Sequence, residues 1–202
     1  HQALTTQNAG ADAYNVAVGY DAGTAMTSGI KNTILGGLAG DALTTGVTNI
    51  AIGYDALGTE DTGAGSVAIG AFSLKLQNYN GNAYNVAIGH DTAKSVTTGI
   101  ENTIIGALAG DALTTGSYNV ALGKGALSTE DVGSRCIAIG YAALSVQNVD
   151  GDVYNTAVGY AAGGTVTTGA YNTLIGGLAG DALTAGGENV AIGYGALSGE
   201  DG

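Results

Sequence analysis

A five-residue phrase recurs eleven times along this 202-residue chain: Asn or a small residue, a β-branched residue, Ala or a large aliphatic, an aliphatic, and Gly. Its closing glycines are Gly19, Gly36, Gly53, Gly70, Gly89, Gly106, Gly123, Gly140, Gly159, Gly176 and Gly193. Their spacings run 17, 17, 17, 19, then 17, 17, 17, 19, then 17, 17, so four phrases make a unit of 70 residues. Repetition at so short a period means that each phrase is one coil of a solenoid, stable only when stacked on its neighbours. This predicts an all-β, parallel β-solenoid of about twelve 17–19-residue coils. It is one repeat domain over residues 1–202, with super-repeats at about 1–70, 71–140 and 141–202, the last incomplete. At about 4.8 Å per coil the stack is a rod about 55–60 Å long.

The 37 glycines would suggest disorder if scattered, but here they are periodic and mark turns. Five basic residues against 17 acidic give a net charge of -12. Phosphate backbones and anionic lipid surfaces are repelled by such a chain, so neither nucleic acid nor membrane insertion is expected. No apolar run reaches the length of a membrane span, and no signal peptide is read. The chain opens in mid-repeat, as a piece of a longer array would. A single cysteine, Cys136, excludes an internal disulfide.

The position before the glycine holds Val18, Leu35, Ile52, Ile69, Ile88, Ile105, Leu122, Ile139, Val158, Ile175 and Ile192. All are aliphatic, and a β-branched residue stands two places earlier, as in Val16 and Thr33. Period-two alternation puts both sets on one face, which is expected to be the core. The residue between them is Ala17, Ile34, Ala51, Ala68, Ala87, Ile104, Ala121, Ala138, Ala157, Leu174 or Ala191. A solvent-facing row would collect polar residues, so this smooth ribbon is expected to be a subunit interface. The alternative is a second internal layer within one chain.

Four residues before the glycine stands an Asn column: Asn15, Asn32, Asn49, Asn85, Asn102, Asn119, Asn155, Asn172 and Asn189, interrupted by Ser66 and Cys136. Stacked coils set these amides about 4.8 Å apart, close enough to hydrogen-bond as a ladder, and Asn suits a left-handed corner. A second corner, ten residues after the coil glycine, is Gly29, Gly46, Gly63, Gly99, Gly116, Gly133, Gly169 or Gly186, where positive φ is expected.

Phrases such as "NVAVGYDAG", "NIAIGYDAL", "SVAIGAFSL", "NVALGKGAL" and "NVAIGYGAL", each followed by a T-x-G turn, resemble the YadA-like head repeats of trimeric autotransporter adhesins. They are similar also to the "NTAIGYxAL…TTG" arrays in tail fibres of bacterial viruses. The resemblance covers essentially the whole chain. It implies a left-handed β-roll, a side-by-side homotrimer, an extracellular, cell-surface or virion location, and attachment to a host-surface glycan or protein receptor without catalysis. The coils here, at 17 and 19 residues, are longer than adhesin-head repeats.

Every fourth coil carries two extra residues, in Gln7–Tyr14, Gln77–Tyr84 and Gln147–Tyr154, which are expected to bulge outward. Asn148, Asp150 and Asp152 flank a glycine there in faint likeness to a calcium loop, although no closing acid follows, and a solvated turn is the ordinary reading. No other cofactor is implied. The turns Glu60-Asp61, Glu130-Asp131 and Glu200-Asp201 are expected to be solvated. A candidate ligand surface is the row Tyr20, Tyr54, Tyr141, Tyr160 and Tyr194, whose rings could stack on sugars; the plain alternative is that they cover the core's corner with hydroxyls in water. No nucleophile–base pair or metal cluster emerges, and the chain reads as a non-enzyme.

The leading expectation is therefore a fibrous attachment module, the shaft or head of a trimeric surface adhesin or virus tail fibre. A self-assembling filament stacked end to end is the structural alternative, since neither end shows a polar capping coil. Ice binding is a lesser one, because the paired threonines sit at corners and not on a flat strand.

Overall fold

The computed structural model describes residues 2–10 and 12–199, and it is a β-solenoid with one three-residue strand per coil. The strands are β1 (Val16–Val18), β2 (Thr33–Leu35), β3 (Ile50–Ile52), β4 (Val67–Ile69), β5 (Val86–Ile88), β6 (Thr103–Ile105), β7 (Val120–Leu122), β8 (Ile137–Ile139), β9 (Thr156–Val158), β10 (Thr173–Ile175) and β11 (Val190–Ile192). They form a single parallel sheet in sequence order. Register is unbroken: Ala17 pairs with Ile34, Ile34 with Ala51, and so on to Leu174 with Ala191. The 19-residue coils keep this register, as the pairing of Ala68 with Ala87 and of Ala138 with Ala157 shows.

The two faces of each strand are the reverse of the expectation. The middle residue points inward: Ile34, Ala51, Ala68, Ala87, Ile104, Ala121, Ala138, Ala157 and Leu174 are fully buried, and Ala191 nearly so. Ala17, on the first strand, is half-buried. The flanking residues Val18, Leu35, Ile52, Ile69, Ile88, Ile105, Leu122, Ile139, Val158, Ile175 and Ile192, expected as the core, all face outward and are partly or largely exposed. The alanine row is thus interior and cannot be a seam between subunits. Its smallness reflects a narrow core: the interior is already filled by residues three, four and seven places after each coil glycine, such as Ala56, Leu57 and Leu43.

That packing explains the 70-residue unit. Where the strand centre is large, the facing wall carries glycine. A Cβ on Gly110 would stand 2.9 Å from Ile104 Cδ1, and one on Gly180 would stand 2.8 Å from Leu174 Cδ2. Where the centre is Ala51, Ala68, Ala121 or Ala138, buried Leu57, Leu74, Leu127 and Leu144 fill the space instead. Where both sides are small, as at Ala157 and Gly163, the adjacent coils fill the space: a Cβ on Gly163 would stand 2.8 Å from Leu144 Cδ2 and from Leu174 Cδ1.

The Asn column joins coils through the backbone. Asn32 Oδ1 accepts from the Asn49 N–H at 2.9 Å, while Asn32 Nδ2 donates to the Gly46 carbonyl at 2.8 Å. The same pair of bonds recurs at Asn102, with Asn119 N–H and the Gly116 carbonyl. The left-handed residue of this corner is not the Asn but the one before it, from Tyr14 (φ 51°) to Glu188 (φ 62°). At the second corner the glycines do not have positive φ. At Gly29, Gly46, Gly99, Gly116 and Gly169 the next coil lies too close, so that a Cβ on Gly29 would stand 2.5 Å from the Gly46 carbonyl oxygen, and at Gly63 and Gly133 a Cβ would stand 2.5 Å from the Glu60 and Glu130 carboxyl carbons.

Candidate interaction face

The outward rows of the eleven strands make one face, aliphatic throughout the row before the coil glycine and interrupted in the other row by Thr33, Thr103, Thr156 and Thr173. Within the stack Leu35 is 45% exposed, Ile105 38% and Ile175 39%, while Ile52, Ile69, Ile88, Leu122 and Ile139 are half-buried. Two rows of residues rim this face. Along the strand's N-terminal side run Tyr14, Lys31, Thr48, Gly65, Tyr84, Glu101, Tyr118, Arg135, Tyr154, Tyr171 and Glu188. Along its C-terminal side run Tyr20, Gly37, Tyr54, Ala71, His90, Ala107, Lys124, Tyr141, Tyr160, Gly177 and Tyr194. With few exceptions, such as Leu76 and Val146, the exposed large hydrophobics of the molecule belong to this face or its rims.

The rims are ordered by stacking along the solenoid. The Tyr141 and Tyr160 rings lie 5.4 Å apart and 9° from parallel, and those of Tyr154 and Tyr171 lie 5.8 Å apart and 16° from parallel. The Arg135 guanidinium sits between Tyr118 and Tyr154, 5.0 and 5.8 Å from the ring centres. Phe72 is edge-on to both Tyr54 and His90, and Lys75 and Lys94 approach its ring at 5.1 and 5.4 Å. Both lysines are also paired, with Asp55 at 2.8 Å and with Asp91 at 3.1 Å. Of the tyrosines read as a ligand surface, Tyr141 and Tyr160 each give one ring face to the other, which leaves less area for a sugar.

Asp152 is held by the Arg135 guanidinium from the coil before, and the Asn148 backbone N–H donates to the Thr167 carbonyl at 3.0 Å. Among the described residues no group of three or more His, Cys, Asp or Glu side chains converges as metal ligands. The long-coil loops are likewise not simple outward bulges: Gln77 and Gln147, which open them, are fully buried.

Sequence reasoning missed a buried polar brace at this place. Glu60 and Glu130, read as solvated, are wholly inside. Glu60 Oε1 accepts from the Gly63 N–H at 2.7 Å, and Oε2 accepts from Gln77 Nε2 at 2.9 Å and the Tyr79 N–H at 3.2 Å. Gln77 Oε1 in turn accepts from Asn85 Nδ2 at 2.9 Å, and Gln77 Nε2 donates to Ser66 Oγ at 3.0 Å. The Gln amide takes the room an Asn would need, which is why the Asn column breaks at Ser66 and Cys136. The available signal was positional: Glu60-Gln77 and Glu130-Gln147 replace aliphatics in the column of Met26, Leu43, Val96, Leu113 and Val166. Glu200-Asp201 lies outside the described residues.

Cys136 occupies the Ser66 position, 3.1 Å from Gln147 Nε2. Burial pushes its thiol up to about 11, so it is a poor nucleophile. Cys136→Ser is expected to fold with stability within about 1 kcal/mol of the parent in denaturant titration, since the hydroxyl can bond that amide as Ser66 does.

Burial also holds the Asp111 carboxyl above its ordinary range, and its Oδ1 is buried without a hydrogen-bond partner. A raised carboxyl disfavours the ionised folded state. That penalty is present above the folded-state value and vanishes below the unfolded one. Asp111→Asn is therefore expected to raise the melting temperature at neutral pH, and the gain should shrink as pH falls through the carboxylate range.

No enclosed pocket opens on the described surface. Comparison of the chain with known protein families, with curated proteins and with solved structures finds no match.

Proposed function

We propose that this chain is a structural fibre module, the shaft or head of a trimeric surface adhesin or virus tail fibre. Its task is to hold out, and help to attach, a host-binding surface. The observation that carries the reading is the apolar strand face. Eleven strands at about 4.8 Å, each spanning at most about 20 Å between rims, give a flat area of roughly 1,000 Å² per copy. That area, rims included, is near the roughly 800 Å² a standard interface takes from each partner, and the strands themselves, three residues or about 10 Å wide, supply about half of it.

Width favours three copies. Three faces about 20 Å wide, arranged as a triangular prism, would each stand about 6 Å from the common axis. Packed sheets lie about 10 Å apart, so each side normally reaches about 5 Å. The aliphatic rows would therefore meet on the axis, whereas four copies would leave a hole. The partners are further copies of the chain and a glycan or protein receptor on the host surface, and the setting is extracellular, at a cell surface or on a virion. The motif resemblance supports the same reading.

Two experiments test it. Electron micrographs of the chain, and of a version with one 70-residue unit duplicated, should show straight rods differing in length by about 19 Å; globules or bent particles would contradict it. Beads coated with the chain should be retained on host-cell surfaces, and retention no better than that of bare beads would count against attachment.

A further inference from the structure

Rim tyrosines lean back over the coil before them. A Cβ on Gly65 would stand 2.7 Å from Tyr84 Cδ1, one on Gly177 3.4 Å from Tyr194 Cδ2, and one on Gly37 3.6 Å from Tyr54 Cδ2. Where two successive coils both carry tyrosine in one rim, the leaning ring lands on another ring. That happens once in each rim, at Tyr141 and Tyr160 and at Tyr154 and Tyr171. One 70-residue unit earlier the same positions hold Ala71 and His90, and Tyr84 and Glu101, so both pairs belong to the last super-repeat.

We propose that Tyr141 and Tyr160 are a site of oxidative crosslinking, joined by a dityrosine bond that staples the coil of β8 to that of β9. Tyr154 and Tyr171 are a slower second site, between the coils of β9 and β10. Both bonds form within one chain and do not depend on how copies assemble.

The chemistry needs two phenols held side by side within reach of an oxidant. All four rings are exposed. The Tyr141 and Tyr160 rings are the closer and more nearly parallel pair, 5.4 Å apart and 9° from parallel. The oxidant is hydrogen peroxide acting through a haem peroxidase, which takes one electron and one proton from each hydroxyl. The two phenoxyl radicals couple through ring carbons ortho to oxygen, forming one C–C bond. Each coupled carbon then passes its hydrogen to its own ring's oxygen, which restores both hydroxyls. The two electrons and two protons removed reduce one peroxide to two waters.

Other rim tyrosines are placed against this reaction. Tyr54 is edge-on to Phe72, and the Arg135 guanidinium stands between Tyr118 and Tyr154. That cation lies over Tyr154, where its charge makes an electron harder to remove, so the second pair is the slower one.

The test treats the folded chain with peroxide and peroxidase and reads dityrosine fluorescence on denaturing gels. Cleavage before Asp150 and Asp152 puts Tyr141 and Tyr160 on separate peptides, which mass spectrometry should find joined. Most of the fluorescence is expected in a single-chain band. Tyr160→Phe should lose most of it, whereas Tyr14→Phe with Tyr84→Phe should keep it. The treated parent should also unfold at higher denaturant than the untreated chain, because the bond closes a loop in the unfolded state. Unchanged fluorescence in Tyr160→Phe, or fluorescence confined to bands of joined chains, would overturn the assignment.

Discussion

Gly106→Ala is expected to break the rod at its sixth coil. Gly106 has φ of +131°, and a Cβ there would lie 2.6 Å from both the carbonyl carbon and oxygen of Gly123. Those atoms are backbone of the next coil, held by the parallel pairing of β6 with β7, so nothing flexible can move aside. Relief requires the coils to part and the bonds between them to lengthen. The expected loss is about 4 kcal/mol or more, the range reserved for core strain of this kind, read as a fall in denaturation midpoint or a split transition. Gly125→Ala is the control. Gly125 also has positive φ, +66°, but open space around it, so it should lose only the left-handed backbone cost of about 1–2 kcal/mol. Equal losses in the two variants would show that conformation alone, and not coil spacing, selects the glycine.

The second large effect is expected at the buried brace. Glu130 takes the Gly133 N–H at 2.8 Å, Gln147 Nε2 at 2.9 Å and the Val149 N–H at 3.3 Å. Glu130→Ala strands all three donors away from water. At about 1–3 kcal/mol for each unsatisfied group, partly relieved by entering water, the loss should be about 3–5 kcal/mol. Glu130→Leu with Gln147→Leu restores the apolar column of Leu113 and Val166 and removes one of the stranded donors. The double variant should recover part of that loss, because emptying a buried polar pair of both members is cheaper than breaking it. Additive losses in a double-mutant cycle would mean that Glu130 and Gln147 do not act as a pair.

The repeat, the strand positions and the parallel stack were legible because the glycine spacing admits little else. Which face of the strand points inward was not. Alternation assigns residues to two faces but does not say which is inside, and hydrophobicity misled because Val18 and Ile192 are more apolar than Ala17 and Ala191. The deciding information was volume: a core already holding the Leu43, Leu57 and Ala56 columns has room only for alanine, or for Ile104 opposite Gly110. The same limit hid the Glu60–Gln77 brace, since an acidic pair at a turn reads as solvated until the neighbouring column shows that its place is interior.

The outward-facing aliphatics now carry the functional argument that alanine carried in the sequence. An attachment fibre needs stiffness, which the in-register stack supplies, and lateral closure, which the strand face offers.

The most direct test is the absolute mass of the chain in solution, by light scattering after size exclusion, beside that of a variant with Ile52→Lys and Leu122→Lys. The parent is expected at three times 19.6 kDa. The variant should fall to a single chain of unchanged circular dichroism, because both substitutions lie on the outer row of the strands. A parent that remains at 19.6 kDa across micromolar concentrations would contradict it.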